Sequence, residues 1–210
     1  MSKDPSSTKP IGVILAGGRG NRLGGTDKGL IQVNGRHLVE LCIDNIGNQV
    51  SGIVISANRN LDIYRKFADI VIVDASPHYS GPLSGILSAM EYLKKKASIL
   101  RGDLLTVPCD MPLLPTDLVA RFYKTRSGCD MDRAVIAYDG HRIQPLCSLL
   151  PLSAQSSLDT FISAGNCRAM DWMHSIDALI ADFSSDSGKF INVNTPDDTV
   201  ALVNTLNNYG

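Results

Sequence analysis

VILAGGRGNRLGGTDKG, residues 13–29, opens with a short apolar run. It then places six glycines, two arginines and one lysine in the thirteen residues after Ala16. Glycine at this density costs backbone entropy on folding, so a compensating interaction is expected. Two familiar phosphate loops fail on inspection. The dinucleotide fingerprint G-x-G-x-x-G begins at Gly18 and Gly20 but meets Leu23 where its third glycine belongs. The Walker loop G-x-x-x-x-G-K fits the spacing of Gly20 and Gly25 but meets Thr26 where its lysine belongs. What stands in the chain is L-A-G-G-x-G-x-R-L-G-G-x-D-K-G. Such a loop lets backbone N–H groups approach an anion closely. Arg22 supplies a forked donor for two phosphate oxygens, and Lys28 a compact point charge.

The apolar run before the loop, IGVILA at 11–16, has the composition of a buried strand in a parallel sheet. Further strands are expected at 53–57, 70–73, 103–109, 134–138, 146–149 and 178–183, the fifth and sixth flanking a turn in DGHRIQP. Helical spacing is expected at 37–49, 61–67, 86–96, 116–126, 158–164, 168–174 and 197–207, with Thr116 and Thr195 as N-caps and Pro196 in a first turn. Strands alternating with helices predict an α/β fold, a three-layer αβα arrangement around a mostly parallel twisted sheet. Residues 1–9 read as a disordered arm and 10–210 as one domain. Ligands of such sheets bind outside the carboxyl ends of strands. The glycine loop, Asp74 and Asp110 all follow a predicted strand there, whereas Asp103 begins its strand and belongs at the opposite edge.

Composition narrows the function. A formal net charge of -1 argues against nucleic acid, and no polybasic block argues for a membrane surface. No apolar run is long enough to span a bilayer. The five cysteines form no C-x-x-C pair, so a disulfide framework or zinc site is not expected, and reduced thiols suit a cytoplasmic protein. Cys109 is expected in the core, and His78 and His174 carry no catalytic constellation. On residue chemistry alone Asp110 reads either as a magnesium ligand or as a cap for the following turn.

The loop and its companions resemble the molybdenum cofactor guanylyltransferases, the MobA family of the nucleotidyltransferase superfamily, a Rossmann-like fold. The opening LAGG and the pair Asp27-Lys28 carry this, where many sugar and cytidylyl relatives read L-A-A-G with Pro before the lysine. The segments SANRN, YSGPLSG, VPCDMPLLP, DGHRIQPL and FINVNTP are similar to family segments and occur in the same order. The resemblance implies Mg-dependent transfer of GMP from GTP to molybdopterin, with or without bound molybdenum, yielding the guanine dinucleotide and pyrophosphate. It implies Arg22, Lys28 and Asp110 as catalytic residues, Asp110 as metal ligand, and Leu15, Ala16, Gly17, Gly18, Ser56 and Asp74 as further GTP contacts. Ser56 stands where the family form has Asn, a shorter side chain with fewer donors, and Asn58 lies two residues on. For molybdopterin, Arg142, Gln144, Pro145, Arg168, Asn192 and Asn194 are candidates by position. Cofactor-delivery chaperones or apo-molybdoenzymes are the implied recipients, and a monomer or weak homo-oligomer is expected. Two other readings compete: a cytidylyl- or sugar-phosphate transferase of the same fold, and a non-catalytic GTP- or cofactor-binding adaptor.

Overall fold

The computed structural model describes residues 9–17, 27–74, 81–95, 101–130 and 132–208. Gly18, Arg22 and His78, and the predicted arm apart from Lys9, lie outside them. In chain order the elements are β1 (Ile11–Leu15), β2 (Gln32–Val33), β3 (Arg36–His37), α1 (Leu38–Gly47), β4 (Gly52–Ser56), α2 (Leu61–Tyr64), β5 (Ile70–Ile72), α3 (Pro82–Lys95), β6 (Asp103–Pro108), α4 (Leu118–Arg126), β7 (Val135–Tyr138), β8 (Ile143–Pro151), α5 (Gln155–Ser163), α6 (Ala169–Ser175), β9 (Leu179–Asp182) and α7 (Pro196–Asn208).

Seven strands form one sheet in the order β5-β4-β1-β6-β8-β7-β9. β1 pairs in parallel with both β4 and β6. β8 alone runs against its neighbours, because it closes a hairpin with β7. The alternation of a strand sends successive side chains to opposite faces. Ile14 thus packs with Val39, Cys42 and Ile46 of α1 and Phe122 of α4. Val13 and Leu15 pack with Ile86 and Met90 of α3, in the cluster that also takes Leu158 of α5 and Trp172 of α6. Two helical layers therefore cover the sheet, the expected αβα arrangement.

After β1 the chain moves outward through β4 and β5 and then crosses back to β6 on the other side of β1. That reversal opens a crevice at the carboxyl ends of β4, β1 and β6.

Several boundaries differ from the sequence expectation. α3 starts at Pro82 rather than at 86, because proline is tolerated in a helix's first turn and the glycines around it do not break the helix. Thr116 is not the cap of α4. The helix begins at Leu118, and the Gln49 side chain from the end of α1 accepts the Val119 N–H at 3.0 Å, a cap supplied by tertiary contact. β8 is longer than 146–149 and takes in Gln144 and Pro145, leaving a shorter turn. Its register with β7 jumps between Ile136 and Ala137, which pair with Ser148 and Gln144. The resulting bulge accommodates Pro145, which has no N–H to give a ladder. A small hairpin of β2 and β3 was not expected. It turns on Asn34 and Gly35, both at positive φ (51° and 77°), the chemistry of a tight two-residue hairpin turn.

Candidate functional site

A cavity of about 1000 Å³ occupies the crevice. Its walls include Leu15, Gly17, Lys28, Ser56, Asp74, Asp110, Gln144, Pro145 and Asn192, all anticipated from the sequence. Asn58, Gly85 and Met111 join them. The fold thus gathers residues from the ends of β1, β4, β5 and β6 on one side and from β8 and the 190–194 segment on the other. Arg142 and Arg168 are not among the described residues that line the cavity. Arg142 is an exposed turn residue near Asp139, and Arg168 is an exposed position at the start of α6.

Lys28 is the hub. Its ammonium donates to Asp110 Oδ2 at 2.9 Å and to the Asn194 side-chain oxygen. Asn194 is available for this because Asp198 and Thr195 do the capping work of α7. Asp198 Oδ2 accepts the N–H groups of Asn194 and Thr195, each at 2.8 Å, and Thr195 Oγ1 accepts the Asp198 N–H at 3.2 Å. The extended segment runs beside Asp110, whose C=O accepts the Val193 N–H at 2.8 Å. Asn192 and Asn194 therefore both face the site side, as their i, i+2 spacing anticipates. Their amide oxygens differ in fate: that of Asn194 holds Lys28, while that of Asn192 is buried with no partner among the described residues.

Under Lys28 lies a network that joins Asp27 to the SANRN segment and to Tyr64. Asp27 is only 5% exposed. Its carboxylate accepts the Tyr64 hydroxyl at 2.5 Å and the Asn60 amide at 3.0 Å, with the Arg59 guanidinium 3.7 Å away. Burial, then the bond to Asp27, pushes the Tyr64 hydroxyl upward, so it remains a donor. A Cβ on Gly29 would sit 2.5 Å from that hydroxyl, so only glycine lets the chain pass this close. The Asp27-Lys28-Gly29 run is thus clamped on both sides of the lysine. Tyr64→Phe leaves a buried carboxylate oxygen without its donor, an expected loss of about 1–3 kcal/mol in urea unfolding. The same variant raises the KM for nucleotide, because Lys28 loses its support. Unchanged stability together with unchanged KM would remove Tyr64 from this role.

On the β4 and β5 side, the Asn58 side chain grips Asp74 at both ends. It donates to Asp74 Oδ2 at 2.8 Å and accepts the Asp74 N–H at 3.0 Å. Burial pushes the Asp74 carboxyl above its usual range, and the Asn58 bond offsets part of that. Asn58 therefore does not stand in for a longer residue at position 56; it orients Asp74. Ser56 is buried beneath α3, where a Cβ at Gly85 would collide with its hydroxyl. Glycine at 85 keeps the floor between Ser56 and Asp74 open. Of the main-chain contacts expected from β1, the Ala16 N–H is already given to Ser56 C=O and the Leu15 C=O already accepts the Cys109 N–H. Cys109 itself is buried in the core, and burial, then the Asp110 charge, pushes its thiol upward, away from nucleophilic use.

Among the described residues no three His, Cys, Asp or Glu side chains converge. That suits a magnesium ion, which binds through one or two carboxylates, phosphate oxygens and water rather than in a protein cage. Asp110 has the required oxygen chemistry, with Oδ1 free of partners among the described residues. Asp103 lies at the start of β6, where Arg126 binds it at 2.8 and 2.5 Å.

Comparison with known proteins bears on the family and the fold. A family model for the MobA-like NTP transferase domain matches residues 12–179. The molybdenum cofactor guanylyltransferase of Shewanella piezotolerans (strain WP3 / JCM 13877) is 40% identical over 93% of this chain and 95% of its own. That of Shewanella halifaxensis (strain HAW-EB4) is 41% identical over 93% and 94%. The crystal structure of molybdopterin-guanine dinucleotide biosynthesis protein A from Archaeoglobus fulgidus has a TM-score of 0.73 at 20% identity, covering 94% of this chain and 99% of its own. A 4-diphosphocytidyl-2C-methyl-D-erythritol synthase reaches 0.70 at 12% identity, covering 95% and 99%. These two likenesses concern the fold, and the sheet is common to both. Identity at 40% over nearly the whole length is a stronger tie, and by it this chain belongs to the molybdenum cofactor guanylyltransferases of the MobA-like NTP transferase family.

Proposed function

We propose that the protein transfers GMP from GTP to the terminal phosphate of molybdopterin, forming molybdopterin guanine dinucleotide and pyrophosphate. The observation that carries this reading is the meeting of Lys28 and Asp110 in the wall of a cavity with two differently built ends, with Asn194 holding Lys28. The end at Ser56, Asn58 and Asp74 takes the nucleoside. The end at Gln144, Pro145 and Asn192 takes the pterin, so the first half of the chain serves GTP and the second half molybdopterin.

In the reaction an acceptor phosphate oxygen bonds to the α-phosphorus of GTP, and the bond from that phosphorus to the bridging oxygen of pyrophosphate breaks. A phosphate monoester is largely ionised near neutral pH, so no protein base has to remove a proton. The residues' task is to hold two anions in line and offset their charge. Lys28 does so from a half-buried position, aimed by Asp110 on one side and Asn194 on the other. Arg22 and the glycines of the loop are assigned to the triphosphate on the strength of the family pattern. Asp110 would hold a magnesium ion there, which supplies charge neutralisation on the phosphate oxygens when bound. Product release to delivery chaperones or apo-molybdoenzymes in the cytoplasm completes the reading. No helix among the described residues is long and apolar enough to cross a membrane.

Purified protein with Mg-GTP and molybdopterin is expected to form dinucleotide and pyrophosphate, and to form neither with CTP. Turnover with CTP instead moves it to the cytidylyl relatives; stoichiometric binding without pyrophosphate makes it an adaptor. Asp74 adds a pH signature. Its carboxylate accepts from the nucleoside most strongly when ionised, and burial raises its titration point. Affinity for GTP therefore falls on acidification, beginning at higher pH than an exposed aspartate would give, and Asp74→Asn flattens that limb of the profile.

A further inference from the structure

The pterin end of the cavity contains a side-chain amide whose direction is dictated from behind. Asp139 is buried at the end of the β7–β8 hairpin, 5% exposed. Its Oδ1 accepts the backbone N–H groups of His141 and Arg142 at 2.8 and 2.7 Å, and its Oδ2 accepts Gln144 Nε2 at 2.7 Å. Burial raises the Asp139 carboxyl, but the donors from Arg142, Gln144 and His141 outweigh it and hold the group below its usual range. An ionised carboxylate accepts hydrogen bonds and cannot donate them. Gln144 must therefore turn its NH2 inward to Asp139 and its carbonyl oxygen away. That oxygen has no partner among the described residues, and Gln144 lines the cavity. Asn192 lines the same cavity, but its own amide oxygen is enclosed, with no donor among the described residues.

We infer that Asp139 sets the polarity of Gln144, so that this end of the cavity presents a hydrogen-bond acceptor and selects a second substrate by an amino group on its ring. Gln144 is the specificity-determining residue and Asp139 its positioning residue. The inference rests on the reading of the second substrate as a pterin, whose aminopyrimidinone edge carries an exocyclic amine. A site built to accept a hydrogen bond discriminates strongly against a ligand lacking that donor, because its acceptor is left unpaired.

The test swaps polarity without removing the bridge. In Asp139→Asn, the side-chain oxygen still takes the two backbone N–H groups, so its NH2 faces Gln144. Gln144 must then turn its oxygen inward and its NH2 to the cavity. Adding Gln144→Glu keeps an acceptor inward for the new NH2 and restores an acceptor outward. The probes are 6-hydroxymethylpterin and 6-hydroxymethyllumazine, which differ by an amine against an oxygen at carbon 2, read by equilibrium fluorescence on the full chain. The wild type is expected to prefer the pterin about tenfold or more. Asp139→Asn erases that preference while thermal midpoint and GTP affinity stay unchanged, and Asp139→Asn/Gln144→Glu restores it. A wild type that binds both probes equally overturns the inference. So does an Asp139→Asn variant that keeps the preference, or one that weakens pterin, lumazine and GTP alike, which marks a structural role only. Absence of dinucleotide formation by the wild type strikes the proposed function separately, because probe preference is measured without turnover.

Discussion

Asp110→Ala is expected to lower kcat for pyrophosphate release at least a hundredfold while the chain still folds. Two effects combine. The variant loses a cavity-wall carboxylate that would hold a divalent cation against phosphate oxygens, and it cuts the 2.9 Å ion pair that aims Lys28. Removing a preorganised electrostatic contact to the reacting group typically costs about 10²–10³ in rate. Asp110→Asn separates the two effects, because its amide oxygen still accepts from Lys28 but carries no charge. If the metal role dominates, Asp110→Asn is nearly as inactive as Asp110→Ala, and added magnesium rescues neither. If Asp110→Asn keeps more than a tenth of wild-type kcat, Asp110 acts through Lys28 alone. Folding tolerates both changes, since Asp110 lies in the cavity wall and belongs to none of the three core clusters.

The largest stability effect is expected at the other end of the same strand. Asp103 at the start of β6 binds Arg126 through both of its oxygens, and Arg126 is only 1% exposed. Tyr123 adds a hydroxyl bond to Asp103 at 3.1 Å. Removing one partner of a buried ion pair leaves a desolvated charge, at a cost of about 3–5 kcal/mol. In a chain of this length Asp103→Ala then lowers the thermal midpoint by about 6–20 °C, with KM for GTP little changed because the site lies beyond the far end of the strand. Replacing both charges, as in Asp103→Leu/Arg126→Met, recovers most of the loss, since well-packed apolar residues often equal a buried pair. A midpoint shift under 2 °C in Asp103→Ala would contradict the buried-pair account.

The two aspartates show what a linear reading can and cannot reach. Their positions at the start and the end of one apolar run already assign them to opposite ends of a strand, hence one to scaffold and one to the crevice. Strand alternation likewise places the side chains of Val13, Ile14 and Leu15 on opposite faces. The hairpin of β2 and β3 was missed although Val33-Asn34-Gly35-Arg36 is a tight-turn pattern, because its strands are too short for a periodicity signal. The Thr116 cap was a fair inference from local chemistry that lost to a distant donor-acceptor pairing with Gln49. Arg142 was named by its place in DGHRIQPL and Arg168 by its position in the second half, and the structure puts them on an exposed turn and at an exposed helix start.

By itself, then, the sequence determined the α/β layering, the glycine-rich run that follows β1, the family, and about half of the cavity wall. These are local properties: period, turn chemistry and motif spacing are all written within a few residues. Only the tertiary structure decided which polar groups answer one another across the fold. Tyr64 and Asn60 lie 37 and 33 residues from Asp27, and Asn194 lies 166 residues from Lys28. No short-range pattern encodes such pairs, because each forms only where burial withdraws water and leaves a polar atom needing a partner. The same holds for Gln144, whose presence in the cavity wall was legible but whose direction was not. That direction is imposed by the acceptor-only carboxylate of Asp139, through a contact that exists only once β7 and β8 have paired.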